Sequence, residues 1–321
     1  MNVLRTRIPG RSFAIALAFV AALLCLPAQA QQPSPPAPVD GERACTKCHD
    51  ESESTPILSI LKTKHAVVAD ARTPFADKAC MSCHGESLDH RTKKAPDGEH
   101  RMPVDIAFGA KSSTPVAKKN ELCLGCHEQG VRMHWKGSRH EFENVSCTSC
   151  HVVHAGHDPV LDKITQSDVC FTCHQNRRAE MFLPSTHPIR EGKVSCSDCH
   201  NPHGSTGPSL LAKSTVNETC YTCHAEKRGP FLWEHQPVRE DCGNCHKPHG
   251  SVNASLLKTR GPWLCQQCHL QPQHPSTAYS GSGLPTSTIP SGAQQLLMKN
   301  CANCHSEVHG SNHPSGPRKT R

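Results

Sequence analysis

Little regular secondary structure, with short helices and loops wrapped around an elongated row of covalently held prosthetic groups, is the fold class this sequence predicts. Three observations predict it. Aromatic residues make up only 4% of 321 residues, against 26 prolines and 21 glycines. Cysteine (21) and histidine (24) far exceed ordinary usage. Twenty of those cysteines fall into one short motif repeated ten times. So few aromatic and aliphatic side chains cannot furnish the core of a sandwich, a Rossmann sheet or a helical bundle. Something other than peptide must fill the interior.

Residues 1–30 read as a secretory signal peptide. Arg5, Arg7 and Arg11 form a basic start, Phe13 to Leu26 an apolar stretch, and Ala28-Gln29-Ala30 a cleavage site. The apolar stretch is too short to span a bilayer core of ~30 Å, and no later segment reaches the ~20 apolar residues of a membrane helix. Leu24 before Cys25 is not the small residue a lipid-modified cysteine needs. The mature chain is expected to start at Gln31 in an exported compartment. Losing three arginines and no acid lowers the net charge from +7 to +4. With no basic block or interleaved aromatics, that excess carries no nucleic-acid footprint.

The motif is Cys-x-x-Cys-His. Its copies are Cys45-Cys48-His49, Cys80-Cys83-His84, Cys123-Cys126-His127, Cys147-Cys150-His151 and Cys170-Cys173-His174. Then come Cys196-Cys199-His200, Cys220-Cys223-His224, Cys242-Cys245-His246, Cys265-Cys268-His269 and Cys301-Cys304-His305. This is the attachment pattern of c-type haem. Two thiols three residues apart add to the two vinyl groups of one macrocycle, and the adjoining histidine then ligates the iron. Zinc sites and thioredoxin-like redox sites also use Cys-x-x-Cys, but neither requires the histidine every time. Ten covalently bound haems c are expected, with no cysteine of the mature chain left over for a disulfide.

Fourteen histidines remain, and their placement exposes a repeat. Motifs ending at His151, His200 and His246 are followed three residues later by His154, His203 and His249. Those ending at His127, His174 and His224 have a histidine further on, eleven to thirteen residues away, at His140, His187 and His235. The two types alternate, with a period of 46 to 49 residues from Cys147 to Cys196 to Cys242. Extended outwards, the rule adds His65, His90, His274 and His309. The candidate second iron ligands are therefore His65, His90, His140, His154, His187, His203, His235, His249, His274 and His309. His100, His134, His157 and His313 are spares, of which His134 competes with His140 and His313 with His309. Spacing alone does not pair these histidines with motifs. The prolines between His200 and His203, and between His246 and His249, favour reaching a neighbouring haem.

The motifs divide the chain into an N-terminal pentahaem half, 45–195, and a C-terminal pentahaem half, 196–310. An extended Pro-rich lead-in, 31–44, precedes them and a basic tail, 311–321, follows. Residues 91–120, 275–298 and the tail after Pro314 read as solvated segments. Trp135, Trp233 and Trp263 are expected on haem edges. Met81, Met102, Met133, Met181 and Met298 are expected to pack rather than ligate.

About 24 residues per haem between Cys147 and Cys265 cannot isolate each macrocycle, so neighbouring haems must approach closely. Two imidazoles per iron leave no open coordination position and lower the potential relative to methionine ligation. An electron conduit is thus expected rather than an enzyme. A multihaem reductase acting on nitrite or hydroxylamine is the competing class and would need an open iron.

Residues 217–269, with CYTCHAEKRGPFLWEHQPVREDCGNCHKPHGSVNASLLKTRGPWLCQQCH, resemble the periplasmic decahaem cytochromes of the MtrA/DmsE type. So does the ending CANCHSEVHGSNHPSG, Cys301 to Gly316. The resemblance implies ten bis-histidine haems seated in an outer-membrane β-barrel porin. It also implies a location in the periplasm, associated with the outer membrane. Partners would be periplasmic or inner-membrane electron carriers on one side, and an extracellular multihaem cytochrome, metal ion or mineral on the other. Members serve both oxidation and reduction of extracellular metal. A free periplasmic shuttle is the alternative within the class.

Overall fold

A computed structural model of the chain describes residues 40–52, 56–98, 100–269 and 300–320. The signal segment, residues 31–39 of the lead-in, His274, and the stretch 275–298 with Met298 lie outside them.

Helices are short because prolines and left-handed residues interrupt the chain every few residues. The longest described helix is Val116–His127, with 12 residues. Sheet among the described residues is one antiparallel pair, Trp233–Glu234 with Gly310–Ser311, and a few isolated bridges. Peptide core is equally scarce. The buried hydrophobic side chains among the described residues are Phe75, Ala79, Ile106, Trp135, Phe171, Met181 and Ile189. Only Phe171, Met181 and Ile189 cluster, with Val194 against them. This is a mostly-loop chain with short helices, as the composition requires.

The alternation in sequence has a structural counterpart. Odd-numbered motifs lie at the C-terminal end of a helix: Asp40–Thr46, Val116–His127, Gln166–Phe171, Val216–Cys220 and Trp263–Gln266. Even-numbered motifs from the fourth onward open a fresh turn, and the residue before the first cysteine caps it. The side chains of Ser146, Asp241 and Asn300 accept backbone N–H groups, and Ser195 forms a capping box with Asp198.

Three buried amides tie the third, fifth and seventh motifs to the motif that follows each. Asn120 donates to the Val145 carbonyl and accepts from Cys147 N–H. Asn217 does the same with Val238 and Cys242 N–H. Gln166 donates to the Val160 carbonyl and accepts from Ser197 N–H. Buried amides persist only when so satisfied.

Two segments differ from the sequence expectation. The stretch 91–120 is anchored rather than a free loop. Asp105 accepts from Ser87 N–H at 2.7 Å, Ile106 is buried, and Lys119 and Asn120 are buried in the helix that begins at Val116. The C-terminal tail is docked, with Glu307 N–H donating to the Lys319 carbonyl at 3.1 Å. In both places backbone carbonyls are needed to hold histidines, which a loose loop would not do.

Candidate metal centres

Each motif is closed by one turn of backbone. The histidine N–H donates to the first cysteine's carbonyl at 2.9 to 3.1 Å in nine motifs, and the tenth lies within Val116–His127. Positions i, i+3 and i+4 share one face of such a turn, so both thiols and the imidazole address the same space.

Opposite nine of these imidazoles stands a second one. The pairs are His49–His90, His84–His154, His127–His65, His151–His203 and His174–His140. His200–His249, His224–His187, His246–His309 and His269–His235 complete them. Ring centroids are 6.0 to 6.4 Å apart in all nine. Stacked or T-shaped rings in contact sit at 4.5–7 Å, so distance alone is not diagnostic. The constancy is. Two metal–nitrogen bonds of about 2.0–2.1 Å and two ring radii of ~1.1 Å sum to roughly 6.2 Å. The donor set, two thiols and two facing imidazoles, fits haem c.

Every second member of these pairs is one of the ten histidines singled out by spacing. The remaining one, His274, lies outside the described residues. Among the described residues the spares stand in no such pair. His100 engages Asp97 at 2.8 Å, His157 faces Asp162 at 4.0 Å, and His313 accepts from Ser315 N–H through Nδ1. His134 lends its carbonyl to a close backbone approach at Gly204.

The pairing follows a rule. From the third site on, an odd motif takes the histidine that follows the odd motif before it: His65 for His127, His140 for His174, His187 for His224, His235 for His269. From the second to the eighth site, an even motif takes the histidine that follows the next even motif: His154 for His84, His203 for His151, His249 for His200, His309 for His246. His90, left over at the N-terminal end, serves His49.

Ring orientation is fixed from behind. A carbonyl can only accept, so each Nδ1 bonded to one carries its proton and leaves Nε2 for a metal. His84 donates to Ile106, His90 to Met102, His200 to Ser209, His246 to Ser255 and His305 to Arg318, at 2.5 to 2.9 Å. His140, His187 and His235 donate to Pro202, Pro248 and Val308 at 2.7 to 2.9 Å. Ser209 and Ser255 have φ of 52° and 56°, so their carbonyls turn back onto the motif. Burial pushes His127, His154, His203, His235, His249 and His309 below the ordinary histidine range. They stay neutral near pH 7, as ligation requires.

The sites adjoin one another in chain order. First-cysteine thiols meet within each odd–even pair: Cys45 with Cys80, Cys123 with Cys147, Cys170 with Cys196, Cys220 with Cys242, Cys265 with Cys301. Second cysteines lie near each other between pairs: Cys83 with Cys126, Cys150 with Cys173, Cys199 with Cys223, Cys245 with Cys268. All nine junctions are thereby made.

Spacing alone missed the supports. Asn120 and Asn217 share the signal Asn-Glu-x-Cys, and the caps Ser146, Ser195, Asp241 and Asn300 directly precede a first cysteine. Gly204 and Gly310 follow a paired histidine, and φ of 110° and 140° explains the residue type.

Comparison with known proteins agrees. Residues 187–229 and 235–274 match the doubled CXXCH motif family, and residues 80–166 match the family of NrfB-like c-type cytochromes. A protein of Shewanella baltica described as multiheme cytochrome MtrA is 46% identical over 276 residues, covering 86% of this chain and 80% of that protein. The cytochrome c-type protein NrfB of Haemophilus influenzae is 27% identical over 158 residues, 44% of this chain and 69% of that protein.

Proposed function

Because this chain belongs to the MtrA family of multihaem c-type cytochromes, we propose that it is an electron-transfer wire carrying ten haems c. It runs from the periplasm through the outer membrane inside a β-barrel porin, and links periplasmic carriers to oxidation or reduction of extracellular metal. The observation that supports this reading is the succession of nine paired-histidine sites among the described residues, each motif adjoining the next through its cysteines. Haem c, when bound, supplies a reversible one-electron centre. The chain's two cysteines at each motif would hold the centre covalently, and its two facing histidines would ligate the iron and keep water and substrate from it. It is a carrier, not an enzyme.

The tenth centre takes Cys301, Cys304 and His305, with His274 as its second ligand. Among the ten candidates His274 alone is left unassigned. As His90 closes the N-terminal end, His274 closes the other.

A physical argument supports the porin. No described helix is long and apolar enough to cross a membrane. Exposed loop backbone in hydrocarbon leaves polar groups unsatisfied, so such a chain crosses only inside a protein sheath. The signal segment supports export to the periplasm. Haem propionates, ionised at neutral pH by carboxylate reference values, oppose binding to anionic lipid, which leaves protein contacts to hold it at the membrane.

The test is reconstitution in liposomes enclosing a reducible dye, with an electron donor outside. Transfer across the bilayer requires both the cytochrome and a barrel that co-purifies with it. A cytochrome found wholly in soluble periplasmic extracts, with no barrel attached, overturns the conduit in favour of a periplasmic shuttle.

A further inference from the structure

One site is held from behind by a charge. His84, His200, His246 and His305 each donate Nδ1–H to a neutral backbone carbonyl. His151 instead donates to the Asp158 carboxylate, Nδ1 to Oδ2, at 2.7 Å. Asp158 is well shielded, its side chain 15% exposed, and the His151 side chain is 32% exposed. The carboxylate is also held in place. Its Oδ1 lies 3.3 Å from Val152 N and 3.4 Å from Val160 N, capping the turn Pro159–Leu161.

This is a departure within the repeat. In the sixth and eighth units the carbonyl comes from Ser209 and Ser255, nine residues beyond the motif histidine. In the fourth unit an aspartate seven residues on takes its place. Two other paired histidines have an acid near Nδ1, both beyond hydrogen-bond distance: Glu226 lies 3.8 Å from His224, with both side chains more than half exposed, and Glu180 lies 3.7 Å from His249 but is engaged by Arg177 at 2.6 Å through the same oxygen.

A carboxylate accepting Nδ1–H draws imidazole toward imidazolate and makes Nε2 a stronger donor. Charge-assisted hydrogen bonds are about twice as strong as neutral ones. A stronger donor and a nearby negative charge both favour ferric over ferrous iron. On the facing ligand, the buried Nδ1 of His203 meets no acceptor among the described residues, so nothing on that side matches the effect. An opposing charge, Arg132, acts on His203. Its guanidinium is exposed where it donates to the His127 carbonyl, and solvent screens it.

Resting on the electron-carrier reading above, we propose that Asp158 is a potential-setting residue. It makes the centre held by Cys147, Cys150, His151 and His203 the hardest of the row to reduce. An electron then crosses the fourth position without residing there.

The experiment is a redox titration of the purified holo-protein, followed by the low-spin ferric resonances, with total haem measured in parallel. Asp158→Asn keeps an acceptor and removes the charge. The reduced-to-oxidised ratio of one centre rises about tenfold at a given potential, ~59 mV for a one-electron couple, while the others hold. Asp158→Glu restores the parent behaviour, and Asp162→Asn, an exposed acid nearby, changes nothing. A parent-like titration of fully loaded Asp158→Asn overturns the proposal. Should that variant load too little haem, the parent protein decides. The His151 and His203 rings are 7° from parallel, so the last signal to be reduced must be of the rhombic, near-parallel class; a perpendicular-class signal there overturns it. Failure of transfer through a porin would overturn the conduit and leave these potentials untouched.

Discussion

His140 donates its Nδ1–H to the carbonyl of Pro202, 62 residues away, at 2.7 Å. Pro202 immediately precedes His203, which faces His151. The residue that orients a ligand of the fifth site is thus joined to a ligand of the fourth. The same link recurs from His187 to Pro248, beside His249, and from His235 to Val308, beside His309. Ligands of adjoining sites are braced against each other by backbone, so spacing between centres is held by the same bonds that orient the rings.

Removing one facing histidine opens one iron. His140→Ala or His203→Ala produces a single high-spin ferric signal in the oxidised holo-protein, and His100→Ala or His157→Ala produces none. Electron paramagnetic resonance checks this; identical behaviour of the two groups would refute the pairing.

Ring planes sort the centres into two spectroscopic classes. His49–His90, His151–His203, His200–His249 and His246–His309 lie within 17° of parallel. His65–His127 and His84–His154 are near perpendicular, at 86° and 85°. Rhombic low-spin signals from the first group and strongly anisotropic ones from the second should both appear. A spectrum with the rhombic class alone contradicts the geometry.

Intact mass reports the loading. The expected mass is that of the chain from Gln31 plus ten haems, which should survive acid-acetone extraction. A mass equal to eight or fewer refutes the count.

Asn217→Ala leaves Cys242 N–H and the Val238 carbonyl without their buried partner. The cost is about 1–3 kcal/mol for unsatisfied buried groups. The thermal midpoint of the holo-protein falls, while its visible spectrum at room temperature is retained.

Gly204→Ala tests the backbone. At φ of 110° a side chain is strained, and an added Cβ would collide with the His134 carbonyl. A penalty of about 1–3 kcal/mol is expected for the backbone strain alone, read as earlier denaturant unfolding. Gly156→Ala, where an added Cβ meets nothing within 4 Å, serves as the neutral comparison.

The attachment sites were legible in the sequence because each is a local object. Cysteine, cysteine and histidine fall within five residues, and one backbone turn is enough to bring them to a common face. The second ligands were legible only as candidates, because the repeat left His134 competing with His140 and His313 with His309; it is the structure that stands His140 opposite His174 and His309 opposite His246. Which histidine faces which motif was not legible. His246 meets His309 and His84 meets His154 across long stretches of chain, and spacing carries no information about where a loop returns. The tertiary structure alone decided that odd motifs reach back and even motifs reach forward. It also decided that His151 rests on a carboxylate where its counterparts rest on carbonyls. Both depend on which backbone the fold lays behind each ring, a property of packing between distant segments that no local pattern encodes.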